Sequence, residues 1–210
     1  ADAMVKITDK SSGKVLVNEK TSALGDVLKK MNESKIGDAL ELNIEISAQG
    51  YLAKQATYTG KFDAVGIVQL HEKMDLQLKP LEIGGDLAKM LGIKPIYFDL
   101  GKFNIRKDAA IELDKIVKVM NENPTMVIEL GSHTDCRGTI AANEKLSSNR
   151  AISSAQYIKT RITNPERISG KGYGETMLLN DCGCEGPKKS TCTEPEHQLN
   201  RRTEFKIISK

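Results

Sequence analysis

The sequence has no tryptophan, and aromatic residues fill only 4% of its 210 positions. That is too few rings for a platform on which sugars or bases stack. An excess of one charge is also missing: 31 Lys and Arg against 28 Asp and Glu leave a net charge of +3. This is far from the basic stripe of a nucleic-acid binder, and no nucleic-acid partner is expected. Long apolar runs are absent as well. The longest, around Ala64 to Leu70, falls well short of the ~20 residues a helix needs to cross a bilayer, so no transmembrane segment is expected. The opening Ala1-Asp2-Ala3-Met4 holds neither a basic stretch nor an apolar one, and no signal peptide is legible in it. Hydrophobic residues nevertheless reach 39%, enough for packed cores and too many for a disordered chain.

Four cysteines are present, Cys136, Cys182, Cys184 and Cys192, three of them within eleven residues. An even, clustered count reads as disulfides, and disulfides imply an oxidising compartment such as a periplasm. A bond between Cys182 and Cys184, across the single residue Gly183, is disfavoured by geometry. Cys182–Cys192 with Cys136–Cys184 is the favoured pairing, and the order stays open.

The apolar rhythm changes along the chain. Up to about residue 80 it alternates: Met4-Val-Lys-Ile-Thr and Leu40-Glu-Leu-Asn-Ile-Glu-Ile, with Tyr51–Tyr58, Ile67–Leu70 and Met74–Leu78 as further strand candidates. Turn signals separate them at Asp9–Gly13, Gly37-Asp38, Gln49-Gly50 and Gly60. This spacing points to a small antiparallel sandwich, interrupted by a helical turn around Ala23–Met31. Residues 81–93, with Gly84-Gly85, read as a linker. From residue 94 the period becomes helical in places. Ile96-Tyr-Phe-Asp-Leu is a strand; Leu113, Ile116, Val117 and Met120 share a face of a helix over 108–123. Met126–Leu130 is a second strand, and Ile140–Ile162 a helix with Ala151, Ala155, Ile158 and Ile162 on one face. Arg167–Tyr173 and Thr203–Ile208 complete the set. The order predicts an α+β chain: an all-β domain at 1–80, then a two-layer βαβαβ-β sandwich at 94–210.

Chemistry concentrates after the second strand. Gly131-Ser-His-Thr-Asp-Cys-Arg-Gly leads into a helix on which Asn143, Ser147 and Arg150 share a face through spacings of four and three. A carboxylate, Asp135, and a guanidinium, Arg150, thus flank one loop–helix junction. A ligand bearing an ammonium and a carboxylate on one carbon would answer both charges, and backbone N–H groups at the helix start would favour its anionic end. A plain Asp135–Arg150 ion pair is the alternative that these residues leave open.

These segments resemble the OmpA-like domain shared by OmpA C-termini, the peptidoglycan-associated lipoprotein and MotB. The resemblance rests on Ile96-Tyr-Phe-Asp, Asn104-Ile-Arg, His133-Thr-Asp-Cys-Arg-Gly, Asn143-Glu-Lys-Leu-Ser-Ser-Asn-Arg-Ala, Gly172-Tyr-Gly-Glu and Asn200-Arg-Arg-Thr-Glu-Phe, in the family's order. It implies a non-enzymatic domain that grips the meso-diaminopimelate of a peptidoglycan stem peptide through Asp135 and Arg150. Thr134, Asn143, Leu146 and Ser147 would shape the pocket. Arg201 and Arg202 would brace it or the fold, and His133 reads as a residue that caps a strand end or lines the pocket. Cys136 after the Asp, and the enlarged loop Asn180–Cys192, depart from the simpler relatives. They resemble the multi-domain, PorE-like anchors of type IX secretion and gliding. Residues 1–80 resemble a carboxypeptidase-regulatory-like, immunoglobulin-like sandwich through Val5-Lys-Ile-Thr-Asp, Gly13-Lys-Val and Ile46-Ser-Ala-Gln-Gly-Tyr-Leu. Their implied role is spacing or contact with other envelope proteins. The whole reads as a periplasmic anchor associated with the outer membrane and cell wall. A protein-interaction module of a secretion or gliding machine, with a vestigial pocket, is the second reading.

Sharper chemistries fit less well. His133 and Cys136 lie three apart with no third group to orient them as base and nucleophile, so no catalytic residue is expected. Cys182, Cys184, Cys192 and His197 match no common zinc spacing. Asp181, Glu185, Glu194 and Glu196 read as a solvated acidic loop without EF-hand spacing. Neither metal nor cofactor is expected. Two bridges would make the unreduced chain lighter than the reduced one by ~4 Da, two hydrogens per bond. Intact-mass measurement with and without reductant checks this, and an unchanged mass would leave the thiols free.

Overall fold

The computed structural model describes residues 2–32, 34–66, 68–99, 101–184 and 190–210. It forms two compact units, Ala1–Pro80 and Leu81–Lys210.

The first unit contains β1 (Met4–Asp9), β2 (Val15–Lys20), β3 (Ala39–Ser47), β4 (Tyr51–Leu52), β5 (Lys54–Lys61), a helical turn α1 (Leu70–Lys73) and β6 (Lys79–Pro80). One antiparallel sheet runs β2-β1-β3-β5, and β4 pairs separately with β6. Alternation in β3 delivers Leu40, Leu42 and Ile44 to a single buried face. Each such side chain contributes ~1.5–3 kcal/mol of apolar burial. Phe62, Leu70, Met74 and Leu76 pack over that face. The second layer is therefore largely an extended strap, where the sequence suggested a second sheet. Met74–Leu78 keeps its alternation, but its polar positions pair locally: Asp75 Oδ1 accepts from Gln77 N at 2.9 Å and Lys54 Nζ donates to the same carboxylate. Leu70 opens α1 and does not end a strand, while Ile67 lies outside the described residues. The helical turn expected over 23–31 is absent. Ser22 Oγ instead accepts from the N–H groups of Leu24 and Asp26, a local alternative to helix that serine favours, and Leu24 and Leu28 stay exposed.

The second unit contains α2 (Leu87–Leu91), α3 (Lys107–Glu122), β7 (Val127–His133), α4 (Ile140–Lys159), β8 (Ile168–Gly174), α5 (Glu194–Asn200) and β9 (Thr203–Ser209). The α+β class expected from the sequence is the one adopted. β7 is the central strand, parallel to β8 and antiparallel to β9. Ile128, Leu130, Ile168, Phe205 and Ile207 are buried within the sheet layer. α3 buries Leu113, Ile116 and Met120 as expected, with Val119 in place of Val117. α4 meets β8 through small residues. A Cβ at Gly170 would run into the backbone of Ala151, and one at Gly172 into Ser147 and Ser148. The helix therefore lies close against the sheet, and its start is fixed by Thr139, whose Oγ1 accepts from Ala142 N at 3.1 Å.

Two expectations are corrected here. Residues 81–93 are part of the second unit and not a linker: Leu81 and Leu87 are fully buried. Asp86 caps α2, and Gly92 ends it in the left-handed conformation, φ 61°. Ile96–Asp99 is not a strand; Leu100 lies outside the described residues. The reason is that residues 84–86 already occupy the edge of β9. Gly84 N donates to Ile207 O at 2.8 Å, Ile207 N to Gly85 O at 3.0 Å and Phe205 N to Asp86 Oδ1 at 3.0 Å. Ile96 is still buried, so its segment contributes one anchor without joining the ladder.

Two buried polar groups mark the unit. Arg167 is 5% exposed and has no carboxylate partner among the described residues. Its guanidinium donates to the carbonyls of Met120, Asn123 and Met126, each at 3.1 Å, and to Thr163 O at 2.7 Å. It thereby satisfies the chain end of α3 and the turn into β7, groups that a helix cannot pair by itself. His133 ends β7 on the sheet face away from α4. It stacks on Tyr173 with ring centroids 5.0 Å apart, and neither ring nitrogen has a hydrogen-bond partner among the described residues. Burial, reinforced by the charge of Arg202, lowers its pKa to about 4.

Replacing Arg167 with Leu would strand several carbonyls and is expected to cost about 3 kcal/mol or more. Urea unfolding measures it, and a loss below about 1 kcal/mol would contradict the assigned role. Because the folded chain resists protonating His133 while the unfolded chain does not, stability is full above pH 6.5 and is lost as pH falls toward 4. The loss across that window should approach ~3 kcal/mol, and His133→Phe should flatten it in thermal melts taken from pH 7 to 4.

Candidate functional site

The loop between β7 and α4 is held at several points. Thr134 N donates to Gly174 O at 2.8 Å, tying the loop to the end of β8. Asn143 Nδ2, reaching back from α4, donates to Asp135 O at 3.2 Å and to Arg137 O at 3.4 Å, and also bonds Glu175. Gly138 adopts φ +119°, and a side chain there would also crowd the Asn143 amide; glycine is required on both counts. Ser147 is fully buried. Its hydroxyl donates to Glu144 O and accepts from Gly174 N, both at 2.9 Å. Asn143 and Ser147 thus brace the site, while Leu146 is half-buried on the same helix.

Both disulfides of the favoured pairing form, Cys136–Cys184 and Cys182–Cys192. Cys136 therefore offers no thiol for nucleophilic chemistry. Cys182, Cys192 and Glu196 come close enough to suggest a metal site, but the two sulfurs are bonded to each other and cannot act as thiolates. Residues 185–189 of the inserted loop, Glu185 among them, lie outside the described residues.

Asp135 is 5% exposed. Its Oδ2 accepts from Arg137 Nη2 at 2.7 Å, from Arg137 Nε at 3.2 Å and from Arg201 Nη1. Among the described residues its Oδ1 accepts only the backbone N–H of Arg137, at 3.0 Å. Burial pushes this carboxyl up, but the hydrogen bonds from Arg137 and Arg201 outweigh it and hold the pKa below the usual carboxylate range. Asp135 is ionised at neutral pH, with acceptor capacity left on Oδ1. Beside it, the Oγ1 of Thr134 is buried without a partner among the described residues.

Arg150 is not paired with Asp135, and the ion-pair alternative is overturned. Its Nε donates to Lys102 O at 3.2 Å and its Nη2 lies 3.5 Å from Asp99 O, while the guanidinium sits 5.0 Å over the Phe98 ring. Among the described residues no carboxylate is within ion-pair distance of it. The Asp99 side chain is taken by Arg106 and Lys102. Burial, then the nearby charge of Arg201, lowers the Arg150 pKa; guanidinium remains charged all the same.

Of the two arginines read as bracing, Arg201 enters the site and Arg202 does not. Arg202 Nε bonds Glu204 at 2.7 Å and its Nη1 bonds Met177 O at 3.0 Å. Two participants were missed in the sequence, Arg137 and Glu194. Arg137 stands within the quoted His133-Thr-Asp-Cys-Arg-Gly run, and its Asp-x-Arg spacing was the available signal. Glu194 was taken as part of a solvated acidic loop. It bridges Arg137 Nη1 at 2.8 Å and Arg201 Nη2. Glu196 is also engaged, closing a capping box with Thr193.

Residues 97–191 match the OmpA family. Over 113 residues the chain is 33% identical to the photosystem I P700 chlorophyll a apoprotein A2 of Gloeobacter violaceus, covering 53% of this chain and 12% of that protein. It is 30% identical over 121 residues to outer membrane protein A of Bordetella avium, covering 58% of each. The chain thus spans well under two thirds of either relative. A crystal structure of the peptidoglycan-associated lipoprotein from Burkholderia pseudomallei aligns with 56% of this chain and 92% of its own, with a TM-score of 0.45 and 19% identity. The match to the OmpA family covers the segment that carries Asp135 and Arg150, residues 97–191.

Proposed function

We propose that the second unit binds bacterial peptidoglycan without covalent chemistry, gripping the meso-diaminopimelate of the stem peptide. In this reading it anchors an outer-membrane or periplasmic complex to the cell wall. The OmpA family match supports the class of partner. The observation that carries the ligand reading is the separation of charge: Asp135 keeps acceptor capacity on Oδ1, and Arg150, bonded to carbonyls and set over a ring, has no carboxylate within ion-pair distance among the described residues. An amino-acid head bearing both charges would satisfy the two together. Thr134, whose buried hydroxyl has no partner among the described residues, would add a hydrogen bond in this reading.

The site is built for binding only. Each charge-assisted hydrogen bond contributes about 1.5–3 kcal/mol, and ordering and desolvation take back part of that. A single domain therefore holds its ligand with modest affinity. Peptidoglycan repeats the stem peptide, so several copies in one complex would attach tightly through avidity. Within this reading, residues 1–80 contact other envelope proteins, and the exposed Leu24, Leu28 and Val65 supply apolar area for it. The disulfide-bonded insertion supports a place among the cysteine-rich anchors of type IX secretion.

Asp135→Asn and Arg150→Ala are each expected to weaken co-sedimentation with insoluble peptidoglycan by ~10-fold or more, with unchanged circular dichroism. Wild-type retention by both folded variants would refute the site.

A further inference from the structure

Asp135 and Glu194 lie on different elements, yet they hold the same two guanidiniums. Arg137 gives Nη2 and Nε to Asp135 and Nη1 to Glu194; Arg201 gives Nη1 to Asp135 and Nη2 to Glu194. The result is a closed ring of two acids and two arginines. Both guanidiniums meet Asp135 on Oδ2, and each oxygen of Glu194 takes one of them. The two disulfides tie both acids to one short stretch. Cys136 follows Asp135 and is bonded to Cys184, while Cys192 precedes Glu194 by two residues and is bonded to Cys182. The short run Cys182-Gly183-Cys184 thus fastens both sides of the ring.

We propose that Glu194 is a positioning residue for the pocket: it holds Arg137 and Arg201 on the Oδ2 side of Asp135 and so keeps Oδ1 open to a ligand ammonium. The proposal rests on the peptidoglycan-pocket reading. Charge balance gives the same role to Glu194. With it, Asp135 and Glu194 offset two of the three cations Arg137, Arg150 and Arg201, which suits a head group carrying both charges. Without it, two uncompensated cations surround one carboxylate, and the guanidiniums are free to close over Oδ1. The pocket would then favour a bare carboxylate and lose its preference for the ammonium. Glu194 is 64% exposed at the side chain, so its replacement does not open the core.

The test uses the oxidised full chain and a synthetic stem tripeptide ending in meso-diaminopimelate, with the ammonium of the free amino-acid centre either intact or acetylated. Calorimetric titration of both peptides gives an affinity ratio, and a merely structural role for Glu194 would weaken both peptides alike and leave the ratio unchanged. The wild type is expected to prefer the intact peptide by ~10-fold. Glu194→Gln should bring the ratio close to one, and Glu194→Asp should restore part of it. A folded Glu194→Gln that keeps the wild-type ratio, whatever its absolute affinity, overturns the proposal. Asp135→Asn separates the two claims: if it too keeps the wild-type ratio, the pocket reading itself has failed.

Discussion

A buried carboxylate, Asp135, governs the geometry of the second unit's functional end. An ion at 5% exposure is tolerated only when hydrogen bonds replace its water. Here the backbone N–H and guanidinium of Arg137 and the guanidinium of Arg201 do so. Those donors must be held in turn. Arg137 lies on a loop clamped by Asn143 and by Cys136–Cys184, and Arg201 caps α5, whose start is set by the Thr193–Glu196 box. The site is thus assembled from three stretches of chain far apart in sequence. The last core strand, β9, follows directly and places Arg201 against the loop.

The scaffold beneath is set by close approach. Glycines in β8 admit α4 without intervening side chains, so Ser147 reaches Gly174 and Asn143 reaches the Asp135 loop. Arg150, one turn further along, then stands at the 98–102 segment and not over Asp135. A larger residue at Gly172 would lift the helix and part the two charges. Arg167 performs a separate task at the opposite end of the strands, where its fork replaces the hydrogen bonds that the end of α3 lacks.

Much of this was legible beforehand. Period-3.6 and period-2 patterns gave α3, α4, β3, β7, β8 and β9 to within a few residues. Asp135 and Arg150 stood out as opposite charges flanking one loop–helix junction, and the resemblance to the OmpA-like domain gave them their role. The helical turn over 23–31 lost to local bonds with Ser22, whereas the other failures come from competition settled only in three dimensions. Ile96–Leu100 has strand composition, yet residues 84–86 reach the β9 edge first. Met74–Leu78 alternates like a strand but lies as a strap. Glu194 belongs to Arg137, 57 positions away, and local reading could only treat it as one acid in an acidic loop. The separation between Asp135 and Arg150 was equally invisible, since an ion pair and an open site need the same residues.

The most direct measurement is a crystal structure of the chain soaked with a stem peptide containing meso-diaminopimelate. The account predicts an ammonium against Asp135 Oδ1 and the neighbouring carboxylate against Arg150, with Arg137 and Arg201 still on Oδ2. A peptide bound elsewhere, or Asp135 and Arg150 closed on each other with the peptide excluded, would contradict it.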